Sequence, residues 1–362
     1  MQGRRIQRAT TVGLATAAIV SFVAACGSSG SGSPSGGSSS SGSASLSGTL
    51  NGSGSTFQLT FQQEAISSFK TTQSGVTVNY GGGGSGKGRT DLASGVVNYA
   101  GSDSTIPSAE TANFKGKTVL YFPVVVGPIT LSYNLSGLSK PLQLSAPVIA
   151  AIFQGKIAKW NDSQIAADNP GVTLPSTAIS LAVRSDSSGT TANFSKFLVE
   201  GAGSAWTLGS SSTIKWPASA HAGNGNSGVA QVVKSTPGAI GYVDYATAKA
   251  SGLTFASIKN KAGSYVAPSP ASASAAASQV TVAPDLTFSA IWASGASSYP
   301  VTYQSWDLVY AKQPNSNDAK LLQAYIGYLL GAGQQLLPTL GYAPLPANID
   351  QQAKAQLSKI GS

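Results

Sequence analysis

From residue 46 to the end, short β-branched and apolar runs alternate with segments of helical period. That alternation confines the chain to an α/β fold with open sheets, because each strand and each amphipathic helix must bury one face against the other kind of element. The periodicity predicts strands over 76–80, 117–126, 129–133, 179–184, 239–244 and 306–310, the second and third separated at a Gly-Pro break. It predicts helices over 57–69, 147–153, 163–167, 190–200, 229–234 and 319–330, with a further helix opening at 87–94. Residues 267–278, rich in Pro, Ala and Ser, read as either a loop or a helix. The roughly 315 residues involved are enough for two domains.

Three segments share one design, a small Gly/Ser/Thr stretch opening a predicted helix. They are Gly52-Ser53-Gly54-Ser55-Thr56-Phe57, Gly83-Gly84-Ser85-Gly86-Lys87-Gly88 and Ser187-Ser188-Gly189-Thr190. A helix start offers unpaired N–H groups and the positive end of the dipole. Glycine admits a ligand to the backbone, and Ser or Thr adds a hydroxyl donor. Each segment alone reads more readily as an ordinary N-cap. Together, with Arg184 just before the third, they describe an oxyanion cradle, since a guanidinium fork matches two oxygens at once. Asp186 is placed to brace that fork.

Asp103 is the odd member, a carboxylate among donors. It would repel an anion by about 4 kcal/mol at 4 Å and an effective dielectric near 20 unless the ligand carries a proton to share. Phosphate retains one near neutral pH and sulfate does not, so an acceptor in this position favours phosphate over sulfate.

The N-terminus reads as an export signal: Arg4, Arg5 and Arg8 precede an apolar stretch over 9–25 that ends in Val23-Ala24-Ala25-Cys26. This resembles a bacterial lipobox, with residues 1–25 removed and Cys26 lipidated. Residues 26–46 form the lipidated cysteine and a Gly/Ser tether with a root-mean-square reach of roughly 25 Å. Cys26 is the only cysteine and His221 the only histidine, which excludes an internal disulfide and argues against Cys- or His-based metal sites. No metal or cofactor is expected. The formal net charge is +9, or +6 once the three signal arginines are gone. This sparse positive balance suits an anionic ligand. It lacks the basic, aromatic-interleaved clusters of a nucleic-acid binder.

Several longer motifs bear a specific resemblance. Besides the three cradle segments they are Val78-Asn-Tyr-Gly-Gly-Gly-Gly-Ser85-Gly, Gly101-Ser-Asp103, Ile152-Phe-Gln-Gly-Lys-Ile-Ala-Lys-Trp-Asn161, Pro237-Gly-Ala-Ile-Gly-Tyr-Val243 and Leu340-Gly-Tyr-Ala-Pro-Leu-Pro346. From about residue 47 to the C-terminus the chain resembles the phosphate-binding subunit of the bacterial high-affinity phosphate ABC transporter. The resemblance implies a two-lobed, type II periplasmic-binding-protein fold with the ligand in the inter-lobe cleft. Lobe 1 would comprise 47–123 plus 300–362, and lobe 2 would comprise 124–299. It also implies phosphate contacts from Thr56, Phe57 through its backbone N–H, Ser85, Asp103, Arg184, Ser188, Gly189 and Thr190, with Asp186 behind Arg184. A helix would occupy 267–278. The partners would be inorganic phosphate, a membrane permease, and the outer face of the cytoplasmic membrane through the lipid at Cys26. Two departures bear on affinity: Ser53 and Ser55 stand where the family has alanines, and four glycines precede Ser85.

Other readings share parts of this pattern. Gly81 to Lys87 fits the start of a P-loop, but Gly88 stands where a Mg²⁺-binding Ser or Thr is needed, and export separates the chain from ATP. A receptor for sulfate or molybdate would share the donors but not the logic of Asp103. An exported phosphatase or esterase would need a G-x-S-x-G elbow, which the sequence lacks. His221 reads as a surface or loop residue rather than a base. Trp160, Trp206, Trp216 and Trp306 read as core or lobe-surface residues rather than a sugar platform.

Overall fold

A computed structural model describes residues 46–362, so the expected signal segment, Cys26 and nearly all of the tether lie outside the described residues. In chain order the first elements are β1 (Gly48–Gly54), α1 (Leu59–Thr72), β2 (Val76–Gly81), α2 (Ser85–Ala93), β3 (Tyr99–Ser102) and β4 (Val119–Tyr133). Next come β5 (Gln143–Leu144), α3 (Ala146–Phe153), α4 (Ser163–Asp168), β6 (Ser180–Arg184), α5 (Gly189–Ala202), β7 (His221–Gly223), α6 (Gly225–Ser235), β8 (Ala239–Asp244) and α7 (Tyr245–Ala250). The last are β9 (Thr254–Phe255), β10 (Ser257–Lys259), β11 (Tyr265–Val266), α8 (Pro270–Ala277), β12 (Thr302–Tyr310), α9 (Ser316–Leu330), α10 (Leu337–Leu340) and α11 (Ala347–Gln356).

Eight strands run side by side in the order β2-β1-β3-β12-β4-β8-β6-β7, and β9 also pairs with β4. At one end β1 lies parallel to β2 and β3; at the other, β6 lies parallel to β7 and β8. The antiparallel strands β12 and β4 join the two parallel sets. Parallel strands need crossovers, and α1, α2, α5 and α6 supply them. Burial follows the helical period: α1 turns Phe61, Ala65 and Phe69 inward, and α9 turns Leu322, Ile326 and Leu329 inward.

One expectation needs correction. The two strands predicted on either side of Gly127-Pro128 are a single strand, β4. Residues 119–128 pair with β12 and residues 129–133 pair with β8, so Pro128 lies where the ladder changes partner. Its missing N–H is tolerated at that handover. The ambiguous 267–278 segment contains α8. Pro270 opens it, and Ser269 and Ser272 form a reciprocal capping box. Trp160, Trp206 and Trp306 are buried, Trp216 packs between Phe153 and Tyr242, and His221 opens β7 on the exposed surface.

Candidate functional site

The parallel strands end in the three Gly/Ser/Thr segments, so the loops after β1, β2 and β6 face one another. Arg184 is the last residue of β6. Its Nε donates to Asp186 Oδ1 at 2.7 Å, its Nη2 donates to Asp186 Oδ2, and its Nη1 reaches Thr190 Oγ1 at 3.3 Å. The guanidinium is therefore held in one plane by a carboxylate two residues away, as expected for Asp186. The Arg184 side chain is almost wholly buried. Ser188 caps α5: its hydroxyl accepts the Thr191 N–H at 3.1 Å. Gly189 permits the closest approach, since a Cβ there would lie 2.6 Å from Asp103 Cβ and would strike the Ser85 hydroxyl. Ser85 Oγ accepts the Asp103 N–H at 3.1 Å and lies 3.4 Å from Asp103 Oδ2.

Asp103 receives more donors than the sequence suggested. Ser305, on β12, donates to Oδ1 at 2.6 Å, and the Ser55 hydroxyl donates to the same oxygen. Burial pushes this carboxyl up to about 6, against the opposing pull of the Ser305 and Ser55 hydrogen bonds and the Arg184 charge. The Phe57 N–H, expected to face a ligand, donates to Ser55 Oγ at 3.0 Å. Thr56 Oγ1 accepts from Asn226 Nδ2 at 3.1 Å, and the same amide lies 3.4 Å from Thr190 Oγ1. The geometry thus gathers Thr56, Ser85, Asp103, Arg184, Gly189 and Thr190 around one buried polar locus. The Ser188 hydroxyl and the Phe57 N–H are already engaged within it.

Sequence reasoning passed over Asn193, Asn226, Asp244, Tyr303 and Ser305, and it read Ser55 only as part of the first cradle segment and a departure from the family. Asn226 carried a signal, because Gly223-Asn224-Gly225-Asn226 is a fourth small polar stretch opening a helix. Asn193 Nδ2 donates to Asp103 O at 2.6 Å and to Gly189 O at 2.9 Å, fastening the β3 end to the start of α5. Tyr303 and Asp244 carried no such signal. The Tyr303 hydroxyl and Asp244 Oδ2 are buried with no hydrogen-bond partner among the described residues. Native interiors seldom leave such groups orphaned unless a ligand or water completes them. Tyr303 packs against Phe57 with tilted rings whose centroids are 4.1 Å apart, and Thr190 is close enough to influence its hydroxyl. Burial also pushes Asp244 up to about 6, opposed by its hydrogen bonds to Thr247 and by the Arg184 charge.

Comparison with known proteins shows the family. A family model described as a PBP superfamily domain matches residues 39–332. The phosphate-binding protein PstS 3 of Mycobacterium tuberculosis (strain ATCC 25618 / H37Rv) is 32% identical over 361 residues, covering 96% of both chains. The chain belongs to the PstS family of the PBP superfamily. A second member, the phosphate-binding protein PstS of Pasteurella multocida (strain Pm70), is 34% identical over 313 residues, covering 85% of this chain and 89% of that one. Among solved structures, the high-affinity periplasmic phosphate-binding protein PfluDING, bound with phosphate, matches with a TM-score of 0.71 at 21% identity, covering 85% of this chain and 94% of that one. A phosphate-bound, putative phosphate ABC transporter substrate-binding protein from Clostridium perfringens matches with a TM-score of 0.61 at 16% identity, covering 83% of this chain and 100% of that one. The fold is thus the two-lobed binding-protein fold that the resemblance implied.

Proposed function

We propose that this protein captures inorganic phosphate on the outer side of the cytoplasmic membrane and delivers it to an ABC transporter permease. The observation that carries the reading is the composition of the buried locus: neutral donors and a guanidinium braced by Asp186 face the carboxylate of Asp103. Ser55 and Ser305 occupy Asp103 Oδ1, so Oδ2 is the freer oxygen to accept a ligand proton. Hydrogen phosphate has that proton. Sulfate would place an unprotonated oxygen against the carboxylate, at about 4 kcal/mol for 4 Å in an effective dielectric near 20.

The chemistry is capture rather than conversion. In this reading the lobes are 47–123 with 300–362, and 124–299. The crossing strands β4 and β12 support that division, since they alone tie β1-β2-β3 to β6-β7-β8 in the sheet. Thr56, Ser85, Arg184, Ser188, Gly189 and Thr190 supply donors, and the Phe57 N–H joins them when the anion competes with the Ser55 hydroxyl. Closure of two lobes on a ligand is a known form of ligand-linked motion. Among the described residues no helix is long and apolar enough to cross a membrane. The reading places the protein at the membrane surface through lipid on Cys26, and what supports this is the Val23-Ala24-Ala25-Cys26 motif.

Calorimetric titration of the phosphate-stripped protein tests the assignment. Phosphate is expected to bind one-to-one and sulfate to give no response at neutral pH. Asp103→Asn is expected to weaken discrimination before affinity, because an amide can also donate to sulfate. Equal binding of both anions by the unaltered protein would sink the reading.

A further inference from the structure

Asp307 is a fully buried carboxyl that makes no ion pair among the described residues. It lies in β12, two residues beyond Ser305, between the apolar neighbours Trp306 and Leu308. Its partner is Gln62, whose amide nitrogen lies 3.1 and 3.3 Å from the two carboxyl oxygens. The same nitrogen donates to Gln58 Oε1 at 2.9 Å. Gln58 Nε2 donates to Ser305 Oγ at 3.1 Å, and Ser305 Oγ donates to Asp103 Oδ1 at 2.6 Å. None of these five side chains is more than 1% exposed. A polar chain therefore runs through the core from Asp307 to the proposed anion acceptor.

Two periodicities make the chain possible. Gln58 and Gln62 are four residues apart at the start of α1, about 6 Å along a helix. Ser305 and Asp307 are two apart on one face of β12, about 6.6 Å along a strand. The pairs therefore face each other in register. Gly101, opposite Asp307 in the sheet, leaves the room required, since a Cβ there would collide with the Gln58 amide and the Tyr80 hydroxyl.

The chain also has a direction. The Tyr99 and Tyr325 hydroxyls donate to Gln62 Oε1 at 3.2 and 2.6 Å. An amide has one acceptor and two N–H donors, so the tyrosines take its oxygen and leave both hydrogens for Asp307 and Gln58. Reversing Gln62 would aim its oxygen at the carboxyl. With Gln62 fixed, Gln58 presents its NH₂ to Ser305, and the single Ser305 proton is left for Asp103. A hydroxyl donated to a carboxylate favours its ionised form, and an ionised Asp103 can only accept.

We propose that Asp307 is a positioning residue for anion discrimination: through Gln62 and Gln58 it holds the Ser305 hydroxyl as a donor to Asp103 and so keeps Asp103 a pure acceptor. This rests on the reading of Asp103 as the acceptor for phosphate. The test compares Asp307→Leu and Asp307→Asn with the unaltered protein, titrating phosphate and sulfate at neutral pH and recording a thermal melt for each. Asp307→Leu removes the anchor for Gln62 and is expected to narrow the sulfate-to-phosphate Kd ratio at least tenfold. Asp307→Asn can still present an oxygen to Gln62 and is expected to keep the ratio. Loss of thermal stability with an unchanged ratio in Asp307→Leu would make the residue merely structural and overturn the proposal. Equal narrowing in both variants would overturn it too, because charge rather than orientation would then be responsible. If Asp307→Leu does not fold, Gln62→Met cuts the same link, and an unchanged ratio there overturns the proposal. An unaltered protein that binds no phosphate would instead defeat the functional reading, and this inference with it.

Discussion

Arg184 and Asp186 are two positions apart, and so their pairing was legible in the sequence: a short-range geometry needs no knowledge of the fold. The pair also sets a clear expectation. Lysine offers a point charge and cannot reproduce a braced fork with two parallel donors. Losing a hydrogen bond to a charged group costs about 1.5–3 kcal/mol, so Arg184→Lys should weaken phosphate binding roughly 10- to 100-fold by calorimetry. Tyr303 is the opposite case. It meets Phe57 from 246 positions away in a chain whose strands exchange neighbours, and no local pattern marks it. Its orphaned hydroxyl costs the ligand-free protein the desolvation of an unpaired group. Tyr303→Phe should therefore raise ligand-free stability by about 1 kcal/mol. It should also weaken phosphate binding severalfold, because the hydroxyl would no longer donate into the locus. Lower ligand-free stability, or unchanged affinity, would remove that hydroxyl from the site. The network of Asp307, Gln62, Gln58 and Ser305 was hidden for the same reason as Tyr303, since Gln58 and Ser305 are 247 positions apart. Its one visible trace was polarity at inward positions of α1 and β12.

At the scale of elements the sequence was read most securely where period and capping agreed. The α9 helix carries both an inward apolar face and a cap, with Asn315 Oδ1 accepting the Asp318 N–H at 2.9 Å. Removing that cap should cost about 1 kcal/mol. Asn315→Ala is thus expected to lower the melting temperature by about 2 °C. Phosphate affinity should not change, because α9 contributes none of the proposed contacts. The continuous β4 was not legible, because a Gly-Pro pair ordinarily ends a strand. What keeps the strand going is a tertiary fact, the change of ladder partner at Pro128. Strand β1 was missed for a related reason. Its glycines and serines carry little strand preference, and it is held as a strand by β2 on one side and β3 on the other.

For the molecule as a whole, Asp103, Asp244 and Asp307 together set an unusual dependence on pH. Burial is the largest influence on each, pushing them up to about 6, about 6 and about 7 from the ordinary 3.8. A carboxyl whose pKa is higher in the folded state binds more protons there than in the unfolded chain. Stability from these three groups is therefore fully present below about pH 4 and is lost as pH rises through about 6 to 7. This is opposite in sign to ordinary acid denaturation, in which paired carboxylates must be protonated on unfolding. The phosphate-free protein should accordingly melt at a higher temperature at pH 5 than at pH 7.5. Asp307→Leu should flatten the difference by removing the carboxyl whose titration is displaced furthest. Phosphate should reverse the ordering in part, because a ligand bound only to the folded state adds about 2.7 kcal/mol at a hundred times its Kd. Its hydrogen-bonded complex also requires Asp103 ionised, so binding should strengthen as pH rises from 5 to 7.5 while the empty protein loses stability. Thermal melts at both pH values, with and without phosphate, check the two opposed slopes in one experiment. If the phosphate-free protein melts lower at pH 5, the buried carboxyls are ionised and satisfied, and the three do not act as a set.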